Sequence, residues 1–137
     1  VGLVVSHARH HLHTYYIVRN ADLVGFTDHE IELIAQIARY HRKSEPKLQH
    51  AAFAALSETD QHAVRMLSAI LRIAIGLDRT HDGRTTSVSV SQKNKSLQIA
   101  LYGKKRADLD LNVYATQQRV ALLADVFECN VTVAIAN

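Results

Sequence analysis

The spacing of apolar residues changes once along this chain. From Val1 to about Leu77 they recur at intervals of three and four, the period of a buried helical face, and from Thr85 onward they alternate, with one helical interruption. The best-marked helix begins near Asp28. Thr27 and Glu30 form a T-x-x-E capping box, in which hydroxyl and carboxylate each satisfy a backbone donor of the first turn. Ile31, Ile34, Ala35 and Ala38 define its apolar face, which Leu33, Ile37 and Tyr40 widen, and Glu32, Gln36, Arg39 and Lys43 are expected as a wet stripe. Pro46 disfavours helical dihedrals at Glu45, so the helix should stop by about Lys43 and deliver RKSEPK as a turn. Ser57 with Asp60 marks a second capped start, leading through Val64, Leu67, Ile70, Leu71, Ala74 and Leu77. Leu12 to Arg19 should also be helical, tertiary burial overriding the weak propensity of Tyr15, Tyr16, Ile17 and Val18.

In the second half, Val88 and Val90 followed by Leu97, Ile99 and Leu101 predict a hairpin across the polar turn Gln92 to Ser96. Leu109, Leu111 and Val113 alternate as a third strand. Val120, Leu123, Ala124 and Phe127 mark a helix, and Val131, Val133 and Ile135 a last strand. The expected class is α+β: a helical subdomain over residues 1–84, then a small α+β domain over 85–137. That second domain is expected as a mostly antiparallel sheet with one helix, in the order strand, strand, strand, helix, strand.

Composition narrows the function classes. An apolar share of 47% and a charged share of 21% suit a globular protein, and no apolar run approaches the roughly 18 residues of a membrane span. The single Cys129 excludes an internal disulfide and a thiolate zinc site, and fits a cytoplasmic location. A net charge of +3 does not by itself argue for nucleic acid. The opening VGLVV has no signal-peptide pattern, and the chain reads as a piece excised from a larger protein.

Two clusters carry candidate chemistry. His7, His10 and His11 stand three and four apart, sharing one helix face on which a metal or a phosphate could sit; the plainer reading makes them caps or core hydrogen-bonders. Arg39, Arg42, Lys43 and Lys47 offer guanidinium forks and mobile ammoniums to successive oxyanions, against the plainer reading of cations that answer a helix dipole. Lys104, Lys105 and Arg106 read as a charged hairpin tip. As metal ligands His11, His41 and Asp78 are the candidates, but no HEXXH and no paired cysteines accompany them, and Asp78 serves equally well as a structural partner of Arg79 or Arg72. Neither a G-x-S-x-G elbow nor a glycine-rich phosphate loop is present.

HHLHTYYIVRNADLVGFTDHEIELIAQIARYHRKSEPK, followed by LSAILRIAIGLDRTHDGR, resembles the carboxy-terminal region of the exopolyphosphatase and guanosine pentaphosphate phosphohydrolase (Ppx/GppA) family, and the DLDL stretch with the helix after it is similar to the family's tail. The resemblance implies a helical HD-like domain with a small α+β appendage. It also implies a bacterial parent hydrolase whose two actin-like domains, absent from this chain, carry the general base and magnesium. This chain would then hold no catalytic residue, no metal and no cofactor of its own, and would be inactive alone. It would contribute a polyphosphate channel and dimerisation, with His10, His11, His13, Arg39, His41, Arg42, Lys43 and Lys47 facing the polyanion. The implied partners are inorganic polyphosphate or (p)ppGpp, the actin-like domains and a second copy, with neither membrane nor specific nucleic acid. The family's His-Asp doublet would stand just before Val1-Gly2, and Ile75 replaces the acid of its RIADGLD-like stretch. Two alternatives stay open: a metal-dependent HD-type phosphohydrolase acting on nucleotides, and a purely structural oligomerisation module.

Overall fold

A computed structural model describes residues 10–136. Its elements are α1 (His10–Arg19), α2 (Asp28–Arg39), α3 (Ala51–Ala54), α4 (Glu58–Leu77), β1 (Thr85–Lys93), β2 (Ser96–Gly103), a 3-10 turn (Arg106–Asp108), α5 (Asp110–Gln117), α6 (Ala121–Val126) and β3 (Asn130–Ile135). The protein is therefore α+β, and none of its described helices is long and apolar enough to cross a membrane. It divides into two compact units, Val1–Ser68 and Ala69–Asn137, with the division inside α4.

In the first unit both capped starts form. The Glu30 amide donates to the Thr27 hydroxyl at 3.2 Å, and the Thr27 amide donates to the Glu30 carboxylate at 2.8 Å. That second bond, made by a backbone N–H, holds the Glu30 carboxyl below its usual range. The Asp60 amide donates to the Ser57 hydroxyl at 3.1 Å in the same way. The apolar centre of this unit is small: Tyr40, Phe53 and Val64, bordered by Leu33, Ile37 and Leu56. The wet stripe expected along α2 holds only at Lys43, which is exposed; Gln36 is fully buried, and Glu32 and Arg39 are half-buried against Tyr15 of α1. Polar side chains there bond one another, which a periodicity argument scores as solvent exposure.

The second unit is a three-stranded sheet in the order β1-β2-β3. β1 and β2 form the expected hairpin, pairing Val88 with Leu101 and Val90 with Ile99 about a two-residue turn in which Asn94 takes φ +53°. β3 runs parallel to β2, setting Leu97 beside Val131 and Ile99 beside Val133. The expected mostly antiparallel sheet is thus mixed, because α5 and α6 carry the chain back before β3 begins. The expected third strand over Leu109 to Val113 is also corrected. Leu109 is 1% exposed, Leu111 52%, and Asn112, Ala115 and Thr116 are buried, a helical spacing that opens α5. The L-x-L-x-V alternation is overridden by Asn112, whose amide donates to Thr85 Oγ1 at 2.9 Å from a fully buried position.

The core of this unit gathers Ala69, Ile73, Leu97, Ile99, Leu101, Leu109, Leu122, Leu123, Val131 and Val133. Two glycines permit its closest approaches. A Cβ on Gly76 would lie 2.6 Å from the Thr116 backbone, and one on Gly103 would strike the Arg84 carbonyl and stand 2.8 Å from Leu109.

Candidate functional site

Where α1 meets α2, one carboxylate gathers the polar groups. Glu32 accepts from the Tyr15 hydroxyl at 3.0 Å, from the Gln36 amide at 2.8 Å and from Arg19 Nε at 2.8 Å. Arg19 also forks onto Asp28, at 2.7 and 3.0 Å, so one guanidinium spans two acids a helical turn apart. Tyr15 is pushed up in pKa, first by burial and then by its bond to Glu32, and so remains a donor. The Gln36 carbonyl oxygen and the Ser68 hydroxyl are buried without a hydrogen-bond partner among the described residues.

One turn further along α2, Arg39 is held differently. Its guanidinium lies 5.2 Å from the Tyr40 ring centre and 6.0 Å from that of Tyr15, and no carboxylate among the described residues meets it. Aromatic faces orient this charge without cancelling it. Tyr40 itself is fully buried, edge-on to Phe53 at 5.9 Å and stacked with His50 at 5.5 Å. Burial raises the Tyr40 phenol, and its hydroxyl is hydrogen-bonded to His50 Nδ1 at 2.8 Å. His50 is pushed below its ordinary 6.5, first by burial and then by the charges of Arg39 and Lys47.

The chain bends between these two fixed points. α2 ends at Arg39, earlier than the Lys43 limit set by Pro46, and the His41 ring bonds back to the Ala38 carbonyl at 2.5 Å. Lys43 turns the backbone at φ +60°, a left-handed conformation rare for a residue with a side chain. Pro46 is buried, and its carbonyl accepts from Arg65 Nη1 at 3.3 Å. Arg42, Lys43 and Lys47 are exposed, so four cations stand against the single carboxylate of Glu45 between Arg39 and Lys47.

The bend therefore collects Arg39, His41, Arg42, Lys43 and Lys47 of the expected polyanion residues. His13 lies half-buried on α1. His10 and His11 lie in the backbone of α1, their side chains outside the described residues, as is all of His7. Asp78 faces His81 Nδ1 at 3.4 Å. Among the described residues no three of His, Cys, Asp and Glu come close enough to hold a metal ion. Sequence reasoning missed Tyr15, Glu32 and Arg19 as a network, and His50 and Arg65 as the bend's supports. Those contacts join residues far apart in the chain, and no local pattern announces them.

Comparison with known proteins follows the same lines. A protein-family model described as Ppx/GppA phosphatase, domain III, matches residues 1–121. The chain is 31% identical over 106 residues to a guanosine-5'-triphosphate,3'-diphosphate pyrophosphatase of Aliivibrio fischeri (strain MJ11), a match covering 75% of this chain and 20% of that protein. It is 31% identical over 75 residues to a protein of the same name from Pseudoalteromonas translucida (strain TAC 125), covering 55% and 14%. The chain thus spans a fifth or less of the length of these curated relatives.

Proposed function

This chain belongs to the Ppx/GppA phosphatase family, and we propose that it serves there as a holder of linear phosphate polyanions, gripping the substrate along the Arg39–Lys47 bend while the rest of a longer hydrolase removes the terminal phosphate. The observation that carries this reading is the Arg39 guanidinium, fixed by two aromatic rings and left without a counter-charge among the described residues. Arg19, by contrast, is met by two carboxylates. Arg42 and Lys47 extend the same charge into solvent, and the buried Pro46 with its Arg65 bond fixes the curve that presents them.

The substrate class is a run of phosphoanhydride-linked phosphates: inorganic polyphosphate, or the triphosphate arm of guanosine pentaphosphate. Both put oxyanions at a spacing that forked and point cations can follow. His10, His11 and His13 belong to the same reading as a second group on α1. Magnesium and the general base belong to other parts of the longer protein, and this chain alone does not hydrolyse. It acts in the cytoplasm and assembles with a second copy.

Titrating fluorescent long-chain polyphosphate into the 137-residue chain tests this. Arg42→Ala with Lys43→Ala should weaken binding by about tenfold or more at low ionic strength, and the wild-type affinity should fall as salt screens the bend. Guanosine pentaphosphate in a parallel titration distinguishes the two substrates. Unchanged affinity in the double variant removes the bend from the site.

A further inference from the structure

The hairpin's outer strand is built unlike a protected edge. Among the described residues β1 ends the sheet on one side, and from Thr85 through Gln92 it carries no charge and no proline, the residues that normally blunt a free edge. Its pleat sends Val88 and Val90 to the same face as their partners Leu101 and Ile99. On β2 that face is closed: Leu101 is 0% exposed and Ile99 2%. On β1 it is open: Val88 is 39% exposed and Val90 62%. The apolar face of the sheet therefore runs one strand beyond the cover given to β2.

The strand's order of residues identifies what covers it. Ser87-Val88-Ser89-Val90-Ser91 reads the same in both directions about Ser89. We infer that β1 pairs antiparallel with β1 of a second copy across a two-fold axis at Ser89, joining two three-stranded sheets into one of six strands. In that register Val88 faces Val90 of the second copy and Val90 faces its Val88, so the apolar face continues unbroken. Ser87 faces Ser91 of the second copy on the opposite face, where hydroxyls bond across strands. Lys93, the only charge on the strand, lies outside the run from Ser87 to Ser91, so that paired run holds no charge. An unrelated strand would satisfy the backbone, but only an identical one is matched at every position by symmetry.

This deepens the homodimer part of the reading above and rests on it. Light scattering over a dilution series of the 137-residue chain should show a dimer. Val88→Lys with Val90→Lys sets lysine against lysine twice and should raise the dissociation constant about tenfold or more, with circular dichroism confirming that each copy still folds. Val88→Lys with Val90→Glu sets lysine against glutamate twice and should restore the dimer in a salt-sensitive form. In a Cys129→Ser background, Ser89→Cys should form an intermolecular disulfide on mild oxidation. A wild-type monomer at high concentration overturns both the homodimer and this edge. A dimer indifferent to the paired lysines overturns the edge alone, and failure of the lysine-glutamate pair to restore it overturns the two-fold register.

Discussion

The two compact units are nearly equal in length and are built on opposite principles. Among the described residues the first buries a cluster of only three large side chains, Tyr40, Phe53 and Val64, and sets its geometry with directional bonds to Glu32, Thr27 and His50. The second buries ten aliphatic residues in one cluster and uses a single buried amide, Asn112, to tie a loop and a strand to a helix. Apolar packing is tolerant of small shifts in direction, whereas hydrogen bonds and ring contacts fix angles. The cationic bend stands in the unit whose positions are set by angle.

The comparison breaks most readily at its apolar end. Leu101→Ala, at a fully buried centre of the sheet, should cost about 2–5 kcal/mol in chemical denaturation, more than any single polar change in the helical unit. A cost below about 1 kcal/mol would mean the sheet unit does not rely on its core. Glu32→Ala should cost about 1–3 kcal/mol, because the Gln36 amide and the Tyr15 hydroxyl lose their shared acceptor. Glu32→Gln, which keeps an acceptor, should cost less, and hydrogen exchange should localise both effects to α1 and α2. Thr27→Ala should cost about 1 kcal/mol, visible as fraying of the first turn of α2.

Acid separates the units by the pH at which each responds. Folded His50 binds its proton less readily than the unfolded chain does, so its stabilising share is present above pH 6.5 and is lost as pH falls through that value toward the folded one. Asp82 in the sheet unit is also lowered, first by the Thr80 hydroxyl and then by Arg84, and its share is lost only as pH falls below 3.8. Melting temperatures between pH 8 and 5 should therefore decline for the wild type and decline less for His50→Gln. Identical slopes would remove His50 from the comparison.

How much of this was legible follows the same division. Both helix caps stood in the sequence because a cap is a local rule, Thr27 to Glu30 and Ser57 to Asp60. The hairpin was legible for the same reason, and the bend was marked by Pro46. Gln36 was misread because periodicity treats every polar residue as solvated, while this one is buried with its amide on Glu32. Residues 109–113 were misread because five residues of alternation do not separate a strand from a helix turn, and the deciding contact, Asn112 to Thr85, spans 27 positions. The ring cradle of Arg39 was illegible in part for a similar reason, since Tyr15 comes to it from the preceding helix.

The parallel partnership of β2 and β3 sets an order of events during synthesis. The hairpin is complete once Gly103 has emerged, yet Leu97 meets Val131 only after two further helices have been made. Until then the strand at the centre of the finished sheet is an edge, with Leu97, Ile99 and Leu101 awaiting their neighbour. Contacts so distant along a chain close late, and translation that stalls before Asn130 leaves an unpaired, aggregation-prone ribbon for chaperones to shield.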